Sequence, residues 1–195
     1  MMLLWWFTAL VWAGHEVNNG GHAVVCPKGP PRLLDYVEHM VEAKDSGDYR
    51  VSVEKLLEKL AKVDPVTAAQ YRRRWAKWDE ESELLDGAEL RKVQDSYHTS
   101  VPKGCKLRQL AVRRQQVIGT QKRFVVDKTL WAKLPAAHRA GTVMHELIYE
   151  HFVFLGEKDS LKARAYNAYL ARMPETVEKA TYVKFVRDLK VPIYP

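Results

Sequence analysis

The 195-residue chain predicts an α+β fold, mostly helical, organised as a single domain with a small antiparallel sheet and a central buried helix carrying His145 and Glu146. Three observations carry that expectation. Apolar residues recur at helical spacing along most of the chain, strand-like runs are confined to two short regions, and the stretch 135–155 is apolar on nearly every side. With 47% hydrophobic and 28% charged residues the composition is that of a globular protein, and the length suits one core. No internal repeat, low-complexity tract or linker divides the chain, so residues 14–195 are expected to form one domain.

The first thirteen residues, MMLLWWFTALVWA, hold no charged side chain and three of the six tryptophans. That is the length of the apolar part of a secretory signal and falls short of the ~20 residues that span a bilayer. Small residues at Val11 and Ala13 place cleavage after Ala13, giving a signal peptide over 1–13 and a periplasmic or secreted protein with no transmembrane segment in the mature chain. The chain holds two cysteines, Cys26 and Cys105, and in an exported protein this pair predicts a disulfide. Closing a loop of that length stabilises a fold by roughly 4 kcal/mol in the chain-entropy account.

His22–Cys26 reads as a short strand, introduced by Asn18-Asn19-Gly20-Gly21. Leu33, Leu34, Val37, Met40 and Val41 recur at helical spacing, as do Val53, Leu56, Leu57 and Leu60. Asp64-Pro65 starts the next helix, with a capping carboxylate and a proline in the first helical position. That helix leads to Tyr71, Trp75 and Trp78, and an acidic stretch from Asp79 to Glu83 is expected on the surface. Val101–Gly104 is a turn, and 105–114 with 123–126 read as two strands. Asp127 caps a helix over 128–134, Pro135 opens the long helix that stops at Gly156, and Asp159-Ser160 opens another through Arg172. Pro174 opens a last amphipathic helix containing Tyr182, Phe185, Val186 and Leu189.

Charge divides the chain in two. Residues 1–97 carry 13 basic and 16 acidic side chains, whereas residues 98–195 carry 18 and 8. Between Lys103 and Arg139 ten Lys or Arg face one acid, Asp127. Such a segment suits an anionic cell-wall polymer or membrane surface, with Arg113, Arg114, Lys122 and Arg123 as the contacting cations, or a solvated face that balances the acidic first half. Nucleic acid is disfavoured, because the segment lacks the interleaved aromatics on which bases stack.

The chemistry-bearing pattern is His145-Glu146-Leu147-Ile148-Tyr149. Zinc hydrolases with H-E-x-x-H use two histidines four residues apart on one helix face and a glutamate that activates water. Here the fourth residue on is Tyr149, and His151 lies about 240° round the helix from His145, so one helix supplies one good nitrogen ligand. A divalent metal would need donors from elsewhere, such as His22, His98 or Asp35, and no other cofactor is indicated. The alternative is structural: Glu146 bonds an arginine or a backbone amide from the strand region, and Tyr149 buries its ring. No serine nucleophile elbow, Walker loop or dinucleotide fingerprint is present.

Five segments occur in one order: Asn18 to Cys26 (NNGGHAVVC), Leu33-Leu34-Asp35-Tyr36, Val101 to Cys105 (VPKGC), His145 to Tyr149 (HELIY) and Arg164-Ala165-Tyr166-Asn167. In this combination the chain resembles a family of uncharacterised exported proteins of Gram-negative bacteria, predatory ones among them. His22 stands where that family carries an acidic residue. The resemblance implies export, a cysteine pair and a His-Glu helix, and it implies no reaction.

Two functions fit the sequence. One is a structural or binding role at the cell envelope. The other is hydrolysis of envelope peptide or glycan bonds, with Glu146 as general acid or base assisted by His145 and Tyr149, with or without a metal.

Overall fold

The computed structural model describes residues 20–86, 90, 101–114 and 119–193. In chain order the elements are β1 (His22–Val25), β2 (Arg32–Leu33), α1 (Leu34–Glu38), α2 (Tyr49–Val63), α3 (Pro65–Trp75), α4 (Trp78–Glu81), β3 (Ser82–Leu85), β4 (Lys106–Gln109), β5 (Ala111–Arg113), β6 (Phe124–Asp127), α5 (Lys128–Lys133), α6 (Ala136–Phe154), α7 (Leu161–Arg172) and α8 (Lys179–Leu189). The α+β, mostly helical architecture is as the sequence predicts. The signal segment 1–13 and His98 lie outside the described residues.

Local chemistry sets the helix starts. Asp48, Asp64 and Asp127 each accept a backbone N–H two or three residues on, from Arg50, Thr67 and Leu130 respectively, and so cap α2, α3 and α5. The helix expected from Pro174 begins later, at Lys179. The helix expected through Val41 ends at Glu38, and Met40 takes a left-handed conformation with φ 51°.

The sheet differs from expectation in number and direction. Among the described residues there are two three-stranded sheets, ordered β2-β1-β4 and β3-β6-β5. The first is antiparallel throughout, and in the second β3 runs parallel to β6. The predicted strand 105–114 is broken at Leu110, where the chain leaves one sheet and enters the other. There the Leu110 carbonyl accepts from the Asp127 amide at 2.8 Å, while its own amide donates to the Gly21 carbonyl at 2.9 Å. The acidic stretch 79–83 becomes the last three residues of α4 and the first two of β3.

Cys26 and Cys105 form a disulfide where β1 and β4 lie side by side. Around these sheets α6 packs against α2 and α7, with α3, α1 and β2 closing its remaining sides. Every residue of α6 from Ala136 to Glu150 except Arg139 is buried, so its polar side chains lie in the interior. Among the described residues no helix is long and apolar enough to cross a membrane.

Candidate functional site: a sealed polar cluster on α6

Gly141 makes room for the cluster. A Cβ there would stand 2.6 Å from the Tyr36 ring and 2.7 Å from Leu33, so glycine lets β2 and α1 lie directly on α6. This brings Asp35 of α1 against His145, one turn further along. The His145 imidazole Nδ1 donates to Asp35 Oδ2 at 2.8 Å. The same oxygen accepts from the Asn167 side-chain amide at 2.7 Å, and that amide also donates to the Gly141 carbonyl at 2.9 Å. One carboxylate therefore ties α1, α6 and α7 together.

Glu146 points the other way, toward the segment that enters β1. Its Oε1 accepts the Gly21 amide at 2.6 Å. The Gly21 carbonyl accepts from the Leu110 and Ala111 amides at 2.9 and 3.0 Å, and the Gln109 side chain donates to the Gly20 carbonyl at 3.0 Å. A side chain at Gly20 would collide with the Ala111 carbonyl. The two glycines thus form a strap threaded between α6 and the junction of β4 with β5, with its polar groups matched on both sides.

Electrostatics separates the two carboxylates. Burial pushes the Asp35 pKa up, but the His145 ring, the Asn167 amide and the nearby Arg164 guanidinium outweigh it, leaving Asp35 below the usual carboxylate range. For Glu146 burial dominates over the favourable His145, Gly21 amide and Arg113, and its carboxyl is pushed up. Its second oxygen, Oε2, has no hydrogen-bond partner among the described residues. Arg164, also buried, pairs with Glu38 at 3.3 Å. Asp35, Glu146 and Asn167 have 0% of their surface exposed and His145 1%.

The sequence-derived residues separate as follows. His145 and Glu146 share the cluster, and Tyr149 lies buried beside them with its ring 6.1 Å from the imidazole. Asp35, considered as a metal donor, serves as the hydrogen-bond partner of His145, and among the described residues no group of three or more His, Cys, Asp or Glu could hold a metal ion. His22 is buried in β1. Of the four cations assigned to an anionic surface, one is buried and three bond the chain's own oxygens. Arg113 is buried, Arg114 pairs with Glu83 at 2.8 Å, Lys122 donates to the Glu80 carbonyl at 2.7 Å, and Arg123 pairs with Glu150 at 2.8 Å. In the same segment Lys103, Lys106 and Lys133 are exposed.

Sequence reasoning assigned no role to Asn167, Arg164, Gly21 or Gln109. For Asn167 a signal existed: it stands four residues after Ala163 and three before Leu170, on the stripe α7 turns inward. Compared with protein-family models, curated proteins and solved structures, the chain matches none of them.

Proposed function

We infer that this chain is an exported structural or binding component of the cell envelope, and that the Asp35–His145–Glu146–Asn167 cluster is its internal brace. The observation behind this reading is the closure of the cluster. Its four side chains are buried to within 1% of their surface, and its named hydrogen bonds run to the protein's own backbone and side chains rather than toward a cleft. General acid–base chemistry needs a donor or acceptor within hydrogen-bond reach of substrate. The disulfide supports export, since such bonds persist in oxidising compartments. The partner that fits the basic second half is an anionic wall polymer or membrane surface, met by exposed lysines such as Lys103 and Lys106.

The Asp35–His145 pair favours a second reading, hydrolysis. A carboxylate that fixes an imidazole beside a glutamate whose pKa burial raises is a pairing acid–base enzymes use. One experiment separates the two. Incubated with purified peptidoglycan sacculi, the protein should be retained, more weakly at high salt, with no release of soluble fragments. Release that disappears in Glu146→Gln would establish the hydrolase. Failure to be retained at any salt would overturn the envelope reading.

A further inference from the structure

One turn along α6 from Glu146 lies a cavity of about 260 Å³, walled by α3, by Arg123 just before β6, and by the last turns of α6. Its charged floor, Arg74, Arg123 and Glu150, belongs to a network of four groups that Glu81 completes. Glu150 Oε2 accepts Arg74 Nε at 2.9 Å and its Oε1 accepts Arg123 Nη1 at 2.8 Å. Glu81 takes the other two nitrogens of Arg74, at 3.1 and 2.6 Å, and lies 3.3 Å from Arg123 Nε. Two guanidiniums and two carboxylates cancel. An anion entering here would have to displace a carboxylate from both arginines, and a cation would have to displace a guanidinium. The remaining polar wall is uncharged: Tyr71 and His151 share a hydrogen bond of 3.0 Å, and Gln70 stands beside them. Burial keeps the His151 pKa below its usual value, which favours the neutral ring.

The rim is apolar. Phe154 is 82% exposed, although it is a large aromatic residue at the end of an otherwise buried helix. A polar floor whose charges are paired off, under an exposed aromatic ring, is complementary to a molecule with hydroxyl or amide groups on its edge and C–H bonds on its face. The volume lies just under the range of about 300–1,000 Å³ that suits drug-sized ligands, and so accommodates a single ring. We propose that this cavity is a subsite for one neutral, acetamide- or hydroxyl-bearing sugar ring of an envelope glycan, with the ring face on Phe154 and its edge on Gln70, His151 and the Arg74–Glu150 pair. The assignment deepens the envelope-binding reading and rests on it.

The test is an NMR titration of the full chain with N,N′-diacetylchitobiose, an uncharged disaccharide, and in parallel with galacturonate, an anion. Shifts should concentrate on α3 and the end of α6, with a Kd of about 1 mM, and galacturonate should bind more weakly. Phe154→Ala should weaken disaccharide binding about tenfold or more while leaving the unfolding midpoint unchanged, because that ring is exposed. No shifts in this region, tighter binding of galacturonate, or equal affinity in the Phe154→Ala variant would overturn the proposal. Retention on sacculi alongside any of those results would leave the envelope reading standing without this site.

Discussion

Helix α6 carries two buried carboxylates one turn apart, Glu146 and Glu150, held by opposite means. Glu146 has a backbone amide for a partner and, among the described residues, no guanidinium bonded to it, so burial dominates its pKa and raises it. Glu150 is gripped by Arg74 and Arg123, each about a quarter to a third exposed. The first arrangement fixes backbone geometry at an electrostatic cost; the second balances charge where water still reaches. A polar residue in an apolar helix therefore has no single meaning, and its partner decides whether it acts as a brace or as the floor of a cavity.

Removing the partners should separate the two regions. The largest effect is expected at Asp35. Asp35→Ala deprives both His145 and Asn167 of an acceptor in a region with no exposed surface, and should destabilise by about 3–5 kcal/mol in chemical unfolding, with little dependence on salt. A gain in stability would mean that the cluster is strained for catalysis, and the brace would be the wrong description.

Glu146 comes next. Glu146→Ala leaves the Gly21 amide buried without its acceptor and should cost about 1–3 kcal/mol. Glu146→Gln keeps that acceptor and discards the charge, so its effect should be about 1 kcal/mol or less. Its pH dependence has a definite sign. The folded-state pKa lies above the ordinary value, so wild type loses stability as pH rises through that interval, while the Gln variant does not. The variant should therefore gain on wild type from pH 4 to pH 7 in thermal unfolding measured across about that range. A gap that narrows with rising pH would contradict the burial argument.

A change of similar size to Glu146→Gln belongs to the open region. Glu150→Gln removes the shared partner of Arg74 and Arg123, and the half-wet setting limits the loss to about 1 kcal/mol. Unlike the Asp35 effect, it should shrink markedly at high salt. Equal salt dependence at both positions would erase the distinction drawn between them.

Much of the frame was readable from residue pattern alone. Asp64 and Asp127 announce their helices, the apolar repeat announces α6, and Cys26 with Cys105 announces the disulfide, because each signal is local or compositional. The second sheet was hidden: β3 is four residues long, begins in an acidic stretch, and is fixed by parallel pairing to a strand some forty residues away. The strand 105–114 gives no sign in its composition that Leu110 divides it between two sheets. For the cluster, His145 and Glu146 stood out as ionisable groups in an apolar helix. Asp35 and Asn167 acquire their meaning only when Gly141 lets three elements converge, a fact of tertiary packing that no spacing rule encodes.

The cross-links of the polar cluster also say something about time. Gly21 meets Glu146 across 125 positions, Asp35 meets Asn167 across 132, and the two cysteines are 79 apart. A chain emerging from its N-terminus cannot seat its first strand until nearly the whole polypeptide is present, because the surfaces that receive the glycine strap are made by α6 and the β4–β5 junction. Contacts of such long range are slow to form, since loop closure comes before any gain from packing. Cys26 must wait for Cys105 in the middle third of the chain, and Gly21 and Asp35 for partners in the last third. On the export reading proposed above, that delay works in the protein's favour: the order of synthesis itself holds the native state back until the chain has crossed the membrane.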